Sequence, residues 1–319
     1  MKWFSYFLTV VFLSVLFALL FWVFTPSRDK AIALTSPLPE FLSRDTNKQV
    51  TLLDIWTPII EAIGGESETS QLSAKSVLMY DLTTEKTIFE KNANVKLPMA
   101  SITKIMTAIV ALENLSPNDR YVARPEHIVG ENSMGIVEGE VLTREELLYG
   151  LLLRSGNDAA EVLASGYPGG RAAFIKAMND KAKALGLTDT HFTNPSGLQG
   201  DGEQYTTAHD LLVIAKYAID TFPEFLTITS TFEKTIPATS THGEYYLQNE
   251  TNLISSYPGV KGIKTGYTPE AGLCLVTYLE YGGHRIIGIL LSSENRRQEM
   301  KEMLDYSLKK LGTEPPKHG

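Results

Sequence analysis

The apolar residues of this 319-residue chain repeat first at strand spacing, then at helical spacing, then at strand spacing again, and few layered folds accommodate that order. Ser76–Tyr80 and Thr87–Glu90, on either side of the polar turn Asp81–Lys86, predict a hairpin. From Thr103 to Asn114 the period is helical, carried by Ile105, Met106, Ile109, Val110 and Leu112. Thr143 and Glu146 form a capping-box pattern ahead of Leu147, Leu148, Leu151 and Leu152. Two more helices are expected, over Arg171–Leu185, closed by Gly186, and over Thr207–Thr221, stopped before Pro223. Gly272–Tyr281 and His284–Leu291, joined at Gly282 and Gly283, predict a second hairpin, and Arg296–Leu311 a last helix. The expected fold class is therefore α+β, with the two hairpins sharing one antiparallel β-sheet flanked by helices.

The amino end obeys a different rule. Trp3–Phe24 holds 22 residues without a charge, behind Lys2 and ahead of Arg28, Asp29 and Lys30. As a helix it would span about 33 Å, enough to cross a bilayer core, and it exceeds the 7 to 15 apolar residues usual for a cleaved signal peptide. Residues 1–26 are accordingly read as a signal anchor, an N-terminal transmembrane helix. Residues 27–70, rich in Ser, Thr, Pro and charges apart from Leu52–Ile63, are read as a tether and domain edge. A single catalytic domain is expected over 71–313, followed by a polar tail at 314–319.

Composition excludes some partners. Acidic residues outnumber basic ones 37 to 29, a net charge of -8, so no positive field draws phosphate and no nucleic-acid partner is expected. The single cysteine, Cys274, sits in an apolar run and reads as a small core residue. Six histidines form no H-E-x-x-H pair or other short ligand cluster, so no metal is expected.

Three short motifs follow one another: Ser101-Ile102-Thr103-Lys104, Ser155-Gly156-Asn157 and Lys264-Thr265-Gly266. Each alone is weak, because S-x-x-K also occurs at Ser27 and Ser307 and S-x-N at Ser116 and Ser293. Placement separates them, since Ser101 follows the Pro98-Met99-Ala100 loop and opens an amphipathic helix whose free N–H groups lie beside its oxygen. A spacing of three puts Lys104 on the same face, one turn away. An ordinary lysine is protonated at neutral pH. Burial and a second cation, for which Lys264 is the candidate, would lower its pKa and let it take the proton of Ser101.

The trio S-x-x-K, S-x-N and K-T-G resembles the signature of penicillin-binding proteins and serine β-lactamases. Five longer stretches are similar to the low-molecular-mass D-alanyl-D-alanine carboxypeptidases: Met99–Ala108 (M-A-S-I-T-K-I-M-T-A), Leu152–Ala160 (L-L-R-S-G-N-D-A-A), Thr193–Leu198 (T-N-P-S-G-L), Tyr205–Leu211 (Y-T-T-A-H-D-L) and Gly262–Leu275 (G-I-K-T-G-Y-T-P-E-A-G-L-C-L). The resemblance implies a β-lactamase/transpeptidase-like fold and assigns catalytic roles to Ser101 as nucleophile, Lys104 as its base and Ser155 as proton relay. It implies that Asn157 holds the substrate amide, that Lys264 and Thr265 receive a peptide carboxylate, that Gly266 keeps the strand flat, and that the N–H groups of Ser101 and Tyr267 form an oxyanion hole.

The implied substrate is a peptidoglycan stem peptide ending in D-Ala-D-Ala. β-Lactam antibiotics are the implied inhibitors, no cofactor is needed, and the body lies outside a membrane that the N-terminal helix crosses once. An endopeptidase shares these residues. A class A β-lactamase adds a glutamate where this chain has only Thr190–Gly197, and a non-catalytic binding module would need no intact trio.

Overall fold

The computed structural model describes residues 72–318. The expected membrane helix, the tether and the apolar stretch Leu52–Ile63 lie outside the described residues. Among the described residues no helix is long and apolar enough to cross a membrane.

Five strands form one antiparallel sheet in the order β2-β1-β9-β8-β7, from β1 (Ser76–Asp81), β2 (Lys86–Lys91), β7 (Val260–Thr268), β8 (Gly272–Tyr281) and β9 (His284–Ser293). The two expected hairpins thus join through β1 and β9, where Met79 pairs with Gly288 and Tyr80 with Ile287. Side chains alternate between faces along a strand. Leu78, Tyr80, Val276, Tyr278, Ile287 and Ile289 enter the larger core under the helices. Val77, Met79, Leu275, Leu279, Ile286 and Leu290 enter a smaller one. Burial on both faces explains why all six residues of β1 are buried and why it reads as a nearly continuous apolar run.

The helices on the larger face are α1 (Lys104–Asn114), α2 (Arg144–Leu153), α3 (Asn157–Ser165), α4 (Gly170–Ala184), α5 (Ala208–Thr221) and α6 (Pro223–Thr229). On the other face α7 (Arg296–Lys310) buries Met300, Met303, Leu304 and Leu308. The Thr143–Glu146 capping box is present, with both reciprocal bonds made.

Helix α5 ends at Thr221, ahead of Pro223 as expected, and Pro223 is itself the first residue of α6, where its missing N–H has no intrahelical partner to lose. Helix α3 and two small antiparallel sheets, β3 (Arg120–Val122) with β4 (Val141–Thr143) and β5 (Glu233–Ile236) with β6 (Tyr245–Gln248), are too short to print a period on the sequence. Ser101 does not open the α-helix but lies in a 3-10 turn, Ala100–Thr103, with α1 starting at Lys104.

Candidate active site

That turn positions the first two site residues. A 3-10 helix has three residues per turn, so side chains at i and i+3 eclipse, and Ser101 stands directly over Lys104. Lys104 is fully buried, and its Nζ lies 3.0 Å from Ser101 Oγ, 2.7 Å from Asn157 Oδ1 and 2.6 Å from the Ser196 carbonyl oxygen. A neutral amine has two N–H donors and one lone pair. Two of the three contacts are to pure acceptors, which take the two donors and leave the lone pair for the Ser101 hydroxyl. Burial, with the charge of Lys264 as the next cause, holds the Lys104 pKa well below the ordinary lysine value.

The other residues arrive from three directions. Ser155 sits between α2 and α3 with φ of 56°, a conformation costly for a non-glycine residue. Its Oγ is buried and has no hydrogen-bond partner among the described residues. Asn157 opens α3; its Nδ2 lies 3.3 Å from the Gly130 carbonyl oxygen. Strand β7 supplies Lys264, Thr265, Gly266 and Tyr267. The Lys264 ammonium is buried and donates to the Thr265 carbonyl oxygen at 3.0 Å; burial lowers its pKa to about 8.

Gly266 faces the turn so closely that a Cβ there would lie 3.1 Å from both Ser101 N and the Met99 carbonyl oxygen. The glycine is thus a condition for β7 to pack against the Ser101 backbone, more than a means of keeping the strand flat. A cleft of about 170 Å³ is lined by Ser101, Ser155, Asn157, Thr265, Gly266 and Tyr267 together, with Lys104 and Lys264 buried beneath it.

All eight sequence-expected residues therefore converge, while the competing motifs at Ser307 and Ser293 do not; the one at Ser27 lies outside the described residues. Ser307 is buried in α7 with its hydroxyl on the Met303 carbonyl oxygen, and Ser293 donates to Glu299. Four further residues of the site went unread. Ser196 gives Lys104 its carbonyl oxygen, and its stretch is held to α1 by the Thr107 hydroxyl, which donates to the Pro195 carbonyl oxygen at 2.6 Å. The signal was present in T-N-P-S-G-L, but a backbone acceptor has no residue type. Arg296 lines the cleft and donates to the Gly266 carbonyl oxygen at 2.5 Å. Glu131 and Glu250 put two carboxylates on the cleft wall, with nothing in the local sequence to announce them.

A family model described as D-alanyl-D-alanine carboxypeptidase matches residues 64–295. The chain belongs to this family. Among the relatives of this D-alanyl-D-alanine carboxypeptidase family member, DacF of Bacillus subtilis (strain 168), a D-alanyl-D-alanine carboxypeptidase, is 36% identical over 258 residues, 77% of this chain and 66% of the relative. The chain thus spans about two thirds of that protein's length. A D-alanyl-D-alanine endopeptidase of Pseudomonas aeruginosa is 36% identical over 213 residues, 65% of this chain and 67% of the relative.

Two solved structures resemble the family member's fold. The Streptomyces K15 DD-transpeptidase matches with a TM-score of 0.70 and 33% identity, over 75% of this chain and 98% of that one. Penicillin-binding protein D2 of Listeria monocytogenes, in its ampicillin-bound form, matches with a TM-score of 0.64 and 30% identity, over 74% of this chain and 98% of that one.

Proposed function

We propose that this chain is a serine-type D-Ala-D-Ala carboxypeptidase that removes the terminal D-alanine of peptidoglycan stem peptides through an acyl-enzyme at Ser101. The observation that carries the reading is the buried Lys104 Nζ, 3.0 Å from Ser101 Oγ and held at 2.7 and 2.6 Å by the Asn157 and Ser196 oxygens, which as a neutral amine would turn its lone pair to Ser101. Lys104 takes the hydroxyl proton as Ser101 Oγ attacks the carbonyl of the penultimate D-alanine. The N–H groups of Ser101 and Tyr267 receive the oxyanion, a contribution of about 3 to 4 kcal/mol per donor in comparable sites.

The proton then passes through the Ser155 hydroxyl to the departing nitrogen, the C–N bond breaks, and an ester remains on Ser101. Water attacks the ester with Lys104 again taking a proton, and the returning proton restores the Ser101 hydroxyl. Thr265 and the cations Lys264 and Arg296 hold the terminal carboxylate, and the Asn157 Nδ2–H donates to the substrate backbone. β-Lactams present a similar carbonyl and carboxylate and stop the cycle at the ester.

Residues 1–26 anchor the chain as a single-pass helix, residues 27–70 set the height of the 71–313 catalytic domain, and that domain works outside the cell membrane, where its substrate is. The support is the uncharged run of 22 residues followed by a polar, proline-containing stretch. Extraction of membranes from expressing cells tests this part: the full chain is expected to need detergent, and recovery in a salt wash would refute the anchor.

The activity is tested by incubating the purified chain with a D-Ala-D-Ala-terminated pentapeptide and weighing the products. Loss of one alanine is the expected result. Cleavage confined to a cross-linked dimer would move the assignment to an endopeptidase, the activity named for the Pseudomonas relative. Neither reaction would overturn the reading.

A further inference from the structure

A second cavity, of about 390 Å³, lies at the far end of α3 from the catalytic cleft. Asn157 at the start of the helix lines the cleft, whereas Val162 and Ser165 line the cavity. The eight steps of rise from Asn157 to Ser165 correspond to about 12 Å along the helix axis, or three to four residues of extended peptide. The volume falls within the range of about 300 to 1,000 Å³ typical of small-molecule sites.

The lining of this cavity is chemically uneven. Arg120 and Arg124 contribute two exposed guanidinium-bearing side chains, and among the described residues neither makes an ion pair. His127, only 3% exposed, lines it as well. Its Nδ1 accepts the Arg124 backbone N–H at 3.1 Å, which fixes the tautomer with the proton on Nε2. That Nε2 is buried and has no hydrogen-bond partner among the described residues. Asp119 is the single carboxylate in the same lining. Two arginines outside any ion pair among the described residues thus flank one concavity in a chain whose net charge is -8.

We propose that this cavity is a second binding site, taking the carboxylate of an amino acid or peptide, with Arg120 and Arg124 on the carboxylate, Asp119 on its ammonium or amide N–H and the His127 ring forming part of the wall. An arginine pair grips a carboxylate through paired N–H donors. Resting on the carboxypeptidase reading, two sources of that group are at hand: the stem peptide of a neighbouring wall strand, and the D-alanine that the reaction releases. The site would hold either one away from the reacting atoms, so its occupant leaves the cleft free.

The test uses the full chain in detergent with Ser101 first acylated by benzylpenicillin, which closes the catalytic cleft. A purified muropeptide and free D-alanine are then titrated separately, with binding followed by calorimetry. Saturable binding of either is expected, weakened about tenfold or more in Arg120→Gln and in Arg124→Gln. Both arginines are exposed, so the variants should fold, and their benzylpenicillin acylation rate should match the parent's. Muropeptide binding alone assigns the source to the wall; D-alanine binding assigns it to the product. Normal acylation with no binding, or with binding untouched by both substitutions, overturns the second site. Failure of acylation itself would instead count against the proposed activity, so the two failures are distinguishable.

Discussion

Lys104 Nζ comes closer to Asn157 Oδ1, at 2.7 Å, than to Ser101 Oγ, at 3.0 Å. The neutral amide oxygen is therefore a device for orienting the base, since it takes an N–H without favouring an ammonium as a carboxylate would. Asn157→Asp keeps the shape and adds the charge. Its Lys104 pKa is expected to rise, moving the acid limb of acylation to higher pH and lowering the rate at pH 7 at least tenfold. A stopped-flow pH profile with a fluorescent penicillin reads this; a profile identical to the parent's would remove Lys104 as the base.

Lys264 sets the opposite limb. Burial brings its pKa down to about 8, so it is cationic below that value and loses its charge as pH rises through it. Reaction with a carboxylate-terminated peptide should decline above about pH 8. A matched substrate with an amide in place of the terminal carboxylate should lack that decline, because its grip does not depend on the ammonium. Comparison of kcat/KM against pH for the two substrates checks the assignment.

Two glycines should fail in different ways. At Gly266 a Cβ meets Ser101 N and the Met99 carbonyl oxygen at 3.1 Å, a shortfall of a few tenths of an ångström. Gly266→Ala is expected to slow acylation by about 10- to 100-fold with little loss of stability, because catalysis tolerates less displacement than folding does. Gly197 has φ of 88°, and a Cβ there would lie 2.0 Å from the Ala100 carbonyl oxygen. Gly197→Ala should cost about 2 kcal/mol or more, visible as a lowered Tm as well as lost activity.

Asp158 anchors the wall of the cleft. Its Oδ1 accepts the Met134 and Ala159 N–H groups at 3.0 and 2.8 Å; its Oδ2 accepts the Ser133 hydroxyl and the Gly135 and Ile136 N–H groups at 2.5, 3.1 and 3.0 Å. An amide can keep the first pair and none of the backbone N–H groups on the second oxygen. Asp158→Asn is expected to destabilise by about 3 kcal/mol or more in urea denaturation and to raise KM for peptide more than it slows penicillin. An unchanged urea midpoint would show that the loop is held some other way.

The order of strand and helix periods, with the trio of motifs, determined the layer arrangement and eight of the residues that meet in the cleft. Those features are local, since a period reports burial of neighbours on one element and S-x-x-K reports two side chains one turn apart. Tertiary structure alone decided the rest. It joined β1 to β9, turned the Ser196 carbonyl oxygen and the Asn157 amide toward Lys104, and brought Arg296, Glu131 and Glu250 to one wall. The physical reason is that burial and field are sums over groups distant in the chain. The lowered pKa of Lys104 comes from what surrounds it in space, its burial and the charge of Lys264, and no residue adjacent to it in sequence carries that information.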